Sequence, residues 1–317
     1  AGPGVVVDVV VIMNGPETVD ADTDTSFGLI LAASERGHRV FHCEAADVEL
    51  ADGRVWARAR PALADETADP VLSLGAALML DLGAVDVVLV RTDPPFDLAY
   101  LHLTLLLDHL AGTTLVVNAP GGLRDANEKL YATRFPDLIP PTIVTADIDH
   151  ILTFSRDQGA AVIKPIDGHG GRGVLVVRAG DDNAPSIVDT LTRRGTVAVL
   201  AQRFLEGIVA GDKRILLLDG EPLGGVLRLP TDEDFRANIC VGGTVTAAEI
   251  DDADRRIVAR IAPSLRGDGL SFVGIDVIDG YLSEVNVTSP TGLRQLGQLS
   301  GTRPDLEVIA WLERATR

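Results

Sequence analysis

The stretch FVGIDVIDGYLSEVNVTSP, Phe272 to Pro290, decides how the rest of the chain is read. Two short runs rich in apolar residues flank an Asp-Gly pair, which is the pattern of a β-hairpin. They carry two acids and an amide: Asp276, Glu284 and Asn286. Hard cations take oxygen ligands, and Mg²⁺ is usually held by one or two carboxylates together with a nucleotide's phosphates. Register decides whether these side chains can act together, because a one-residue slip moves every side chain to the other face. A two-residue loop, Asp279-Gly280, pairs Asp276 with Ser283 and puts the two acids on opposite faces. A three-residue loop, Asp279 to Tyr281, pairs Asp276 with Glu284. Asn286 then shares their face, while Ile275, Val277, Val285 and Val287 line the other. The second register separates an apolar face from an oxygen-rich one and is the one expected, although Asp-Gly by itself favours the shorter turn. The plainer alternative is an edge hairpin with solvated acids.

Upstream of this hairpin, residues 161–165, 173–178, 196–202, 213–219 and 221–229 read as strands and 184–194 as a helix. A polar segment, 230–246, precedes a long helix at 247–265, and a last helix spans 305–315. Gly168-His169-Gly170-Gly171-Arg172-Gly173 matches G-x-G-x-x-G, but a strand follows it instead of the helix that a dinucleotide fingerprint requires. A glycine-rich link between strands is a lid whose backbone N–H groups can approach phosphate. Lys164 ends the strand before the lid, where a charge is costly unless an anion meets it. Lys129 is a second phosphate candidate, and Gln202 is placed where a nucleotide base would meet backbone amides. Arg214, Arg228 and Arg236 fall at strand ends or in the following loop; converging on one cleft, they would clamp carboxylate or phosphate.

The first 120 residues alternate in βαβ fashion, which predicts a mostly parallel sheet of the α/β class with helices on both faces. Strands are expected at 5–13, 39–43, 85–90 and 114–118, helices at 26–36, 71–82 and 97–110, and an inserted hairpin at 48–60. Ala119-Pro120-Gly121-Gly122 marks a boundary; residues 127–135 form a short helix beyond it. Ser26, at a helix start, and Arg91, at a strand end, lie where ligands bind in open α/β sheets.

Composition narrows the classes. The 317 residues imply two or three units sharing a sizeable core. A net charge of −18 argues against general affinity for nucleic acid or anionic lipid. The apolar runs are strand-length, far short of the roughly 20 residues that cross a bilayer, so neither a membrane span nor a signal peptide is expected. Two cysteines, Cys43 and Cys240, give no disulfide framework, and a reducing cytoplasm is the expected compartment.

In order along the chain, the segments DTSF, R-x-DPPFD, LRD-x-NEKL, IKP-x-DG-x-GG, GDKR-x-x-x-x-DGEP, FVGIDVI and EVNVTSP resemble the bacterial glutathione synthases of the ATP-grasp superfamily. The resemblance implies a Rossmann-like pre-ATP-grasp domain over 1–122. It also implies a two-subdomain α+β ATP-grasp fold over 123–317, with a lid subdomain at about 142–203 and a mobile flap at about 229–243. It implies that Lys129 and Lys164 hold the phosphates of ATP under the lid, with Gly168, Gly170, Gly171 and Gly173 above them. Gln202 and Asp212 would lie near the nucleotide. Asp276, Glu284 and Asn286 would hold Mg²⁺, with Mn²⁺ as a substitute. Arg214, Arg228 and Arg236 would serve the carboxylates and the intermediate, and Ser26, Arg91, Ser289, Pro290 and Thr291 the substrates. The implied reaction joins γ-glutamylcysteine to glycine through an acyl phosphate, in a tetrameric homo-oligomer. Two departures stand out. The flap carries Asp232-Glu233-Asp234 where a less acidic, more glycine-rich sequence is expected, and Gly292 stands where the family often has cysteine. Alternative readings are a carboxylate–amine ligase with another donor or acceptor, and a catalytically silent nucleotide-binding regulator.

Overall fold

The structure is a computed structural model that describes residues 6–230 and 244–316. In chain order its first part comprises β1 (Asp8–Ile12), α1 (Thr25–Glu35), β2 (Arg39–Cys43), β3 (Val48–Ala51), β4 (Arg54–Ala64), β5 (Leu72–Leu74), β6 (Leu78–Asp81), β7 (Val87–Val90), α2 (Leu98–Leu107), β8 (Leu115–Val117) and α3 (Pro120–Asp125). The parallel centre runs β2-β1-β7-β8. Val9–Ile12 of β1 and the whole of β7 are continuous runs of valine, leucine and isoleucine because helices cover both faces. Asp24 caps α1 by accepting from Phe27 N, and Asp97 caps α2 by accepting from Tyr100 N. The hairpin at 48–60 is present, turning at Asp52-Gly53 with both residues at positive φ.

Two expected helices are not there. Residues 71–82 instead supply β5 and β6, which pair with opposite ends of the 11-residue β4. A long strand offers a row of unpaired backbone groups, and satisfying them outweighs local helix propensity. Residues 127–135 form a capped turn and a short 3-10 turn, Tyr131–Arg134. The Glu128 carbonyl that would propagate a helix accepts instead from Val285 N, at 3.0 Å. The punctuation at 119–122 turns out to open helix α3. There Gly122 is required by close approach, since a Cβ would lie 2.2 Å from the Asp268 carbonyl oxygen.

The second part contains β9 (Thr142–Thr145), α4 (Ile148–Asp157), β10 (Ala160–Pro165), β11 (Leu175–Arg178), α5 (Ala184–Leu191) and β12 (Val199–Arg203). Its antiparallel sheet has the order β11-β10-β12-β9. The third contains β13 (Asp212–Leu218), β14 (Glu221–Leu229), β15 (Thr244–Ala248), α6 (Asp252–Gly267), β16 (Phe272–Ile278), β17 (Tyr281–Asn286), α7 (Leu293–Ser300) and α8 (Pro304–Ala315). Its sheet has the order β15-β14-β13-β16-β17, antiparallel throughout. The helix expected from residue 247 starts at 252. Residues 244–248 pair with β14, and Asp251 and Asp254 form a reciprocal capping box.

Packing divides these parts unequally. The parallel sheet and the β13–β17 sheet share two apolar cores: one joins Val10, Ile12 and Val88 to Ile215, Val273 and Ile275. The other joins Val9 and Leu89 to Leu216, Leu296 and Ile309. The β9–β12 sheet has its own core, built on Ile151, Ile163, Val177 and Ala201. The β9–β12 layer is therefore packed separately over a continuous base. Asn118 ties that base together. It donates from Nδ2 to the carbonyls of Phe272 and Val287, both at 2.8 Å, and its Oδ1 accepts from Phe272 N at 2.8 Å. Removing the amide strands three buried backbone groups. Asn118→Ala should cost about 2–4 kcal/mol in urea unfolding; a loss under about 0.5 kcal/mol would show that the clamp is not needed.

Candidate active site

The Asp-Gly turn and the shared acid face are both realised, and the loop expectation needs correction. Ile278 pairs with Tyr281 and Val277 with Leu282, so the loop is the two-residue one, Asp279-Gly280, with φ of 52° and 72°. A bulge then inserts Ser283, after which Asp276 pairs with Glu284, Ile275 with Val285 and Gly274 with Asn286. One extra residue reconciles the favoured turn with the oxygen-rich face. Ile275, Val277, Val285 and Val287 are buried on the other side.

Asp212 and Arg228 sit opposite one another on β13 and β14, and Arg214 and Asp276 sit opposite on β13 and β16. Alternation along the strands puts all four on the cavity face. Arg214 grips Asp276 with two hydrogen bonds, Nε to Oδ1 at 2.5 Å and Nη2 to Oδ2 at 2.9 Å. Arg228 Nη2 bridges Asp212 at 2.5 Å and Asp276 at 3.0 Å. Burial alone would raise Asp276, but the two guanidinium groups outweigh it and hold its carboxyl far below the ordinary range. Asp212, with burial dominating over the pull of Arg228, is pushed up to about 6. Asp212 Oδ1 and Arg228 Nε are buried and lack a hydrogen-bond partner among the described residues.

Glu284 pairs with Lys129 Nζ at 3.0 Å, and the same ammonium donates to the carbonyl of Gly168 at the root of the lid. Lys164 reaches Gln202 Oε1 and Ser283 Oγ, both at 3.2 Å. Burial lowers the pKa of Lys164, with the charge of Glu284 opposing. Asn286 Nδ2 donates to Asp276 Oδ2 at 3.2 Å. The lid joins β10 to β11 with Gly170, Gly171 and Gly173 at positive φ; at Gly173 a Cβ would also meet Pro165 Cγ at 2.9 Å.

These groups face one cavity of about 600 Å³ between the two antiparallel sheets. Lys129, Lys164, Gly168, Gly170, Gly171, Gln202, Asp212, Arg214, Arg228, Asp276, Glu284, Asn286, Ser289, Pro290 and Thr291 all line it. One expectation changes. Ser26 and Arg91 lie beneath the wall, not on it: Arg91 is 4% exposed, donating from Nε to Ser26 Oγ at 3.1 Å and from Nη2 to the Pro290 carbonyl at 3.0 Å. They hold the Ser289–Thr291 turn in place because that guanidinium is directed inward, where Phe272 stacks beneath it. Gln202 lines the cavity, with Oε1 accepting from Lys164 Nζ at 3.2 Å and Nε2 donating to Thr142 Oγ1 at 3.0 Å. Arg236 and the acidic triplet Asp232-Glu233-Asp234 lie outside the described residues. Gly292 has φ of 113°, a conformation that disfavours the side chain expected there.

Sequence reasoning missed Glu128 and Ser283. Glu128 accepts from Val287 N, Thr288 N and Thr288 Oγ1 at 3.0, 3.1 and 2.8 Å, anchoring the end of β17 beside the cavity. Its place next to Lys129 was the available signal. Ser283 gave none, since a bulge is set by pairing.

The donor set suits a hard divalent cation. Asp276, Glu284 and Asn286 offer oxygens on one wall, and the unpartnered Asp212 Oδ1 lies beside them. Among the described residues no three acids, histidines or cysteines gather into a metal site by themselves.

Two antiparallel sheets clasping such a cavity define an ATP-grasp ligase, which uses ATP with a divalent metal. Solved structures agree on the fold. A D-cycloserine synthetase superposes with a TM-score of 0.66 at 15% identity, covering 98% of this chain and 100% of that one. An ATP-grasp ligase bound to a minimal precursor gives 0.66 at 16% identity, covering 98% and 99%. The family model of the prokaryotic glutathione synthetase N-terminal domain matches residues 7–124, and that of its ATP-grasp domain matches 128–301. The glutathione synthetase of Thermosynechococcus vestitus is 47% identical, covering 96% of this chain and 99% of the relative. That of Brucella melitensis is 41% identical, covering 96% of each. The chain belongs to the prokaryotic glutathione synthetase family, as the ordered motifs implied.

The buried aspartate generates a pH prediction. An acid whose pKa rises on folding contributes stability while protonated; that contribution is complete below about pH 4 and is lost as pH climbs through about 6. Asp212→Asn cannot titrate. Its stability relative to the unaltered chain, measured by urea unfolding, should therefore improve between about pH 5 and pH 7. A gap that stays constant over that interval would exclude a raised Asp212.

Proposed function

We propose that this chain condenses γ-glutamylcysteine with glycine at the expense of ATP, releasing ADP and phosphate. The observation that supports this most directly is the convergence of Lys129, Lys164, Asp276 and Glu284 on one cavity in a member of the glutathione synthetase family. The cysteinyl carboxylate attacks the γ-phosphate to form an acyl phosphate; the glycine amine then attacks the activated carbonyl and phosphate leaves. Lys129 and Lys164 approach the transferring phosphate from below the lid and offset its developing charge. Mg²⁺, with Mn²⁺ as a substitute, would be held by Asp276, Glu284 and Asn286 and would neutralise phosphate charge when bound.

Arg228 is placed for the anionic end of a substrate, because its Nε is buried and unpartnered. Arg214 is committed to Asp276 and to the Thr291 carbonyl at 3.3 Å, so its part is to orient the metal acid and the Ser289–Thr291 turn. Backbone N–H groups of Gly168, Gly170, Gly171 and Gly173 cover the phosphates, and closure excludes water that would hydrolyse the acyl phosphate.

The reading extends to a cytoplasmic, tetrameric homo-oligomer acting on small molecules alone. No helix among the described residues is long and apolar enough to cross a membrane.

Incubation with ATP, Mg²⁺ and γ-glutamylcysteine should release ADP only when glycine is added. Release without glycine, or with another amine preferred, would point to a different acceptor. Chelation by EDTA should abolish turnover and added Mg²⁺ restore it. Glu284→Gln should lower kcat by at least about 100-fold; unchanged turnover would remove Glu284 from the metal site.

A further inference from the structure

Neighbouring residues on a regular strand point to opposite faces, yet Ser283 and Glu284 both line the cavity. The bulge is the cause: with Val277 on Leu282 and Asp276 on Glu284, Ser283 has no partner on β16 and turns inward. Two successive residues thereby each take one lysine, Glu284 taking Lys129 and Ser283 taking Lys164. Lys164 belongs to β10 in the lid subdomain and Ser283 to β17 in the base, so their contact crosses the cavity between separately packed layers. Ion pairs with carboxylates occupy Lys129, Arg214 and Arg228. Lys164 differs: its hydrogen-bond partners among the described residues are the neutral oxygens of Gln202 and Ser283.

We propose that Ser283 is a positioning residue for Lys164, registering the lid subdomain's lysine against the metal-bearing strand while leaving its full charge for the nucleotide's phosphates. A neutral hydroxyl can do this and a carboxylate cannot. An acid at 283 would pair with the ammonium and cancel much of the field that an incoming phosphate feels. A half-buried cation held only by neutral acceptors has most to gain from an arriving anion.

The inference rests on the reading of Lys164 as a phosphate ligand, and a double-mutant cycle separates the two. Dissociation constants for a non-hydrolysable ATP analogue with Mg²⁺ are measured on the full chain, Ser283→Ala, Lys164→Met and the double variant. Ser283→Ala should bind about 10-fold more weakly, the loss of one charged hydrogen bond. In the Lys164→Met background it should change binding by less than about twofold. Equal loss in both backgrounds overturns the positioning role while leaving Lys164 at the phosphates. Wild-type affinity in Lys164→Met overturns the phosphate reading and the proposal with it. The isosteric pair Ser283→Thr and Ser283→Val guards against misfolding. Threonine should restore affinity and valine should not; equal affinity for both sinks the hydroxyl. KM for γ-glutamylcysteine should stay within about twofold in the Ser283 variants, which a general collapse of the cavity would not allow.

Discussion

Two arginines and two aspartates, packed across three strands with almost no access to water, constrain everything else at this site. Placing four charges there costs several kcal/mol of desolvation per ion, and pairing offsets it only while every partner is present. Such a cluster adds little net stability but punishes misregistration severely, at about 3–5 kcal/mol for a broken pair. Because Arg214 sits opposite Asp276 and Arg228 opposite Asp212, the sheet registers of β13, β14 and β16 are fixed by the same contacts. Glu284 then falls beside Asp276, and the Thr291 carbonyl, taken by Arg214 Nη1, bends the chain into the cavity before α7.

Against this base the β9–β12 layer is held differently. Its apolar core is its own, so its attachments near the cavity are polar: Lys129 to the Gly168 carbonyl, Asn127 Nδ2 to the Ile166 carbonyl, and Lys164 to Ser283. Each connects the end of β10 or the glycine-rich loop after it to the base. A layer attached by a few hydrogen bonds can separate and close without disturbing a core, which suits an enzyme that must admit a nucleotide and then exclude water. Arg91 and Asn118 do the reverse. They tie the parallel sheet to the end of the hairpin, at the Pro290 and Val287 carbonyls.

Much of this was legible from residues 1–317 because local patterns and global fold agree. Continuous valine runs marked β1 and β7, the glycine string between strands marked the lid, and two acids with an amide marked the oxygen-rich face. Where sequence reading failed, a long-range partner intervened. Residues 71–82 have the composition of a helix, but the exposed edges of β4 claim them as strands. Residues 127–135 lose a helical hydrogen bond to Val285. Arg91 is at the right strand end for a ligand yet turns inward, because Ser26 and the Pro290 carbonyl, 65 and 199 residues away in sequence, await it there.

The hairpin shows where that division falls. By itself the sequence determined the hairpin's two strands and the identity of the groups that carry charge, which follow from periodicity and side-chain chemistry, and its ordered motifs carried the family resemblance; the three-residue loop read from it is not the one the chain adopts. It also required Asp276 and Glu284 to share a face, on the ground that the apolar residues needed the other. Only the tertiary structure decided how both requirements are met, by letting Ser283 out of the ladder. Whether a ladder slips by a residue depends on what each register buries and on which partners wait across the cavity, and those are brought together only when the lid sheet and the base have packed.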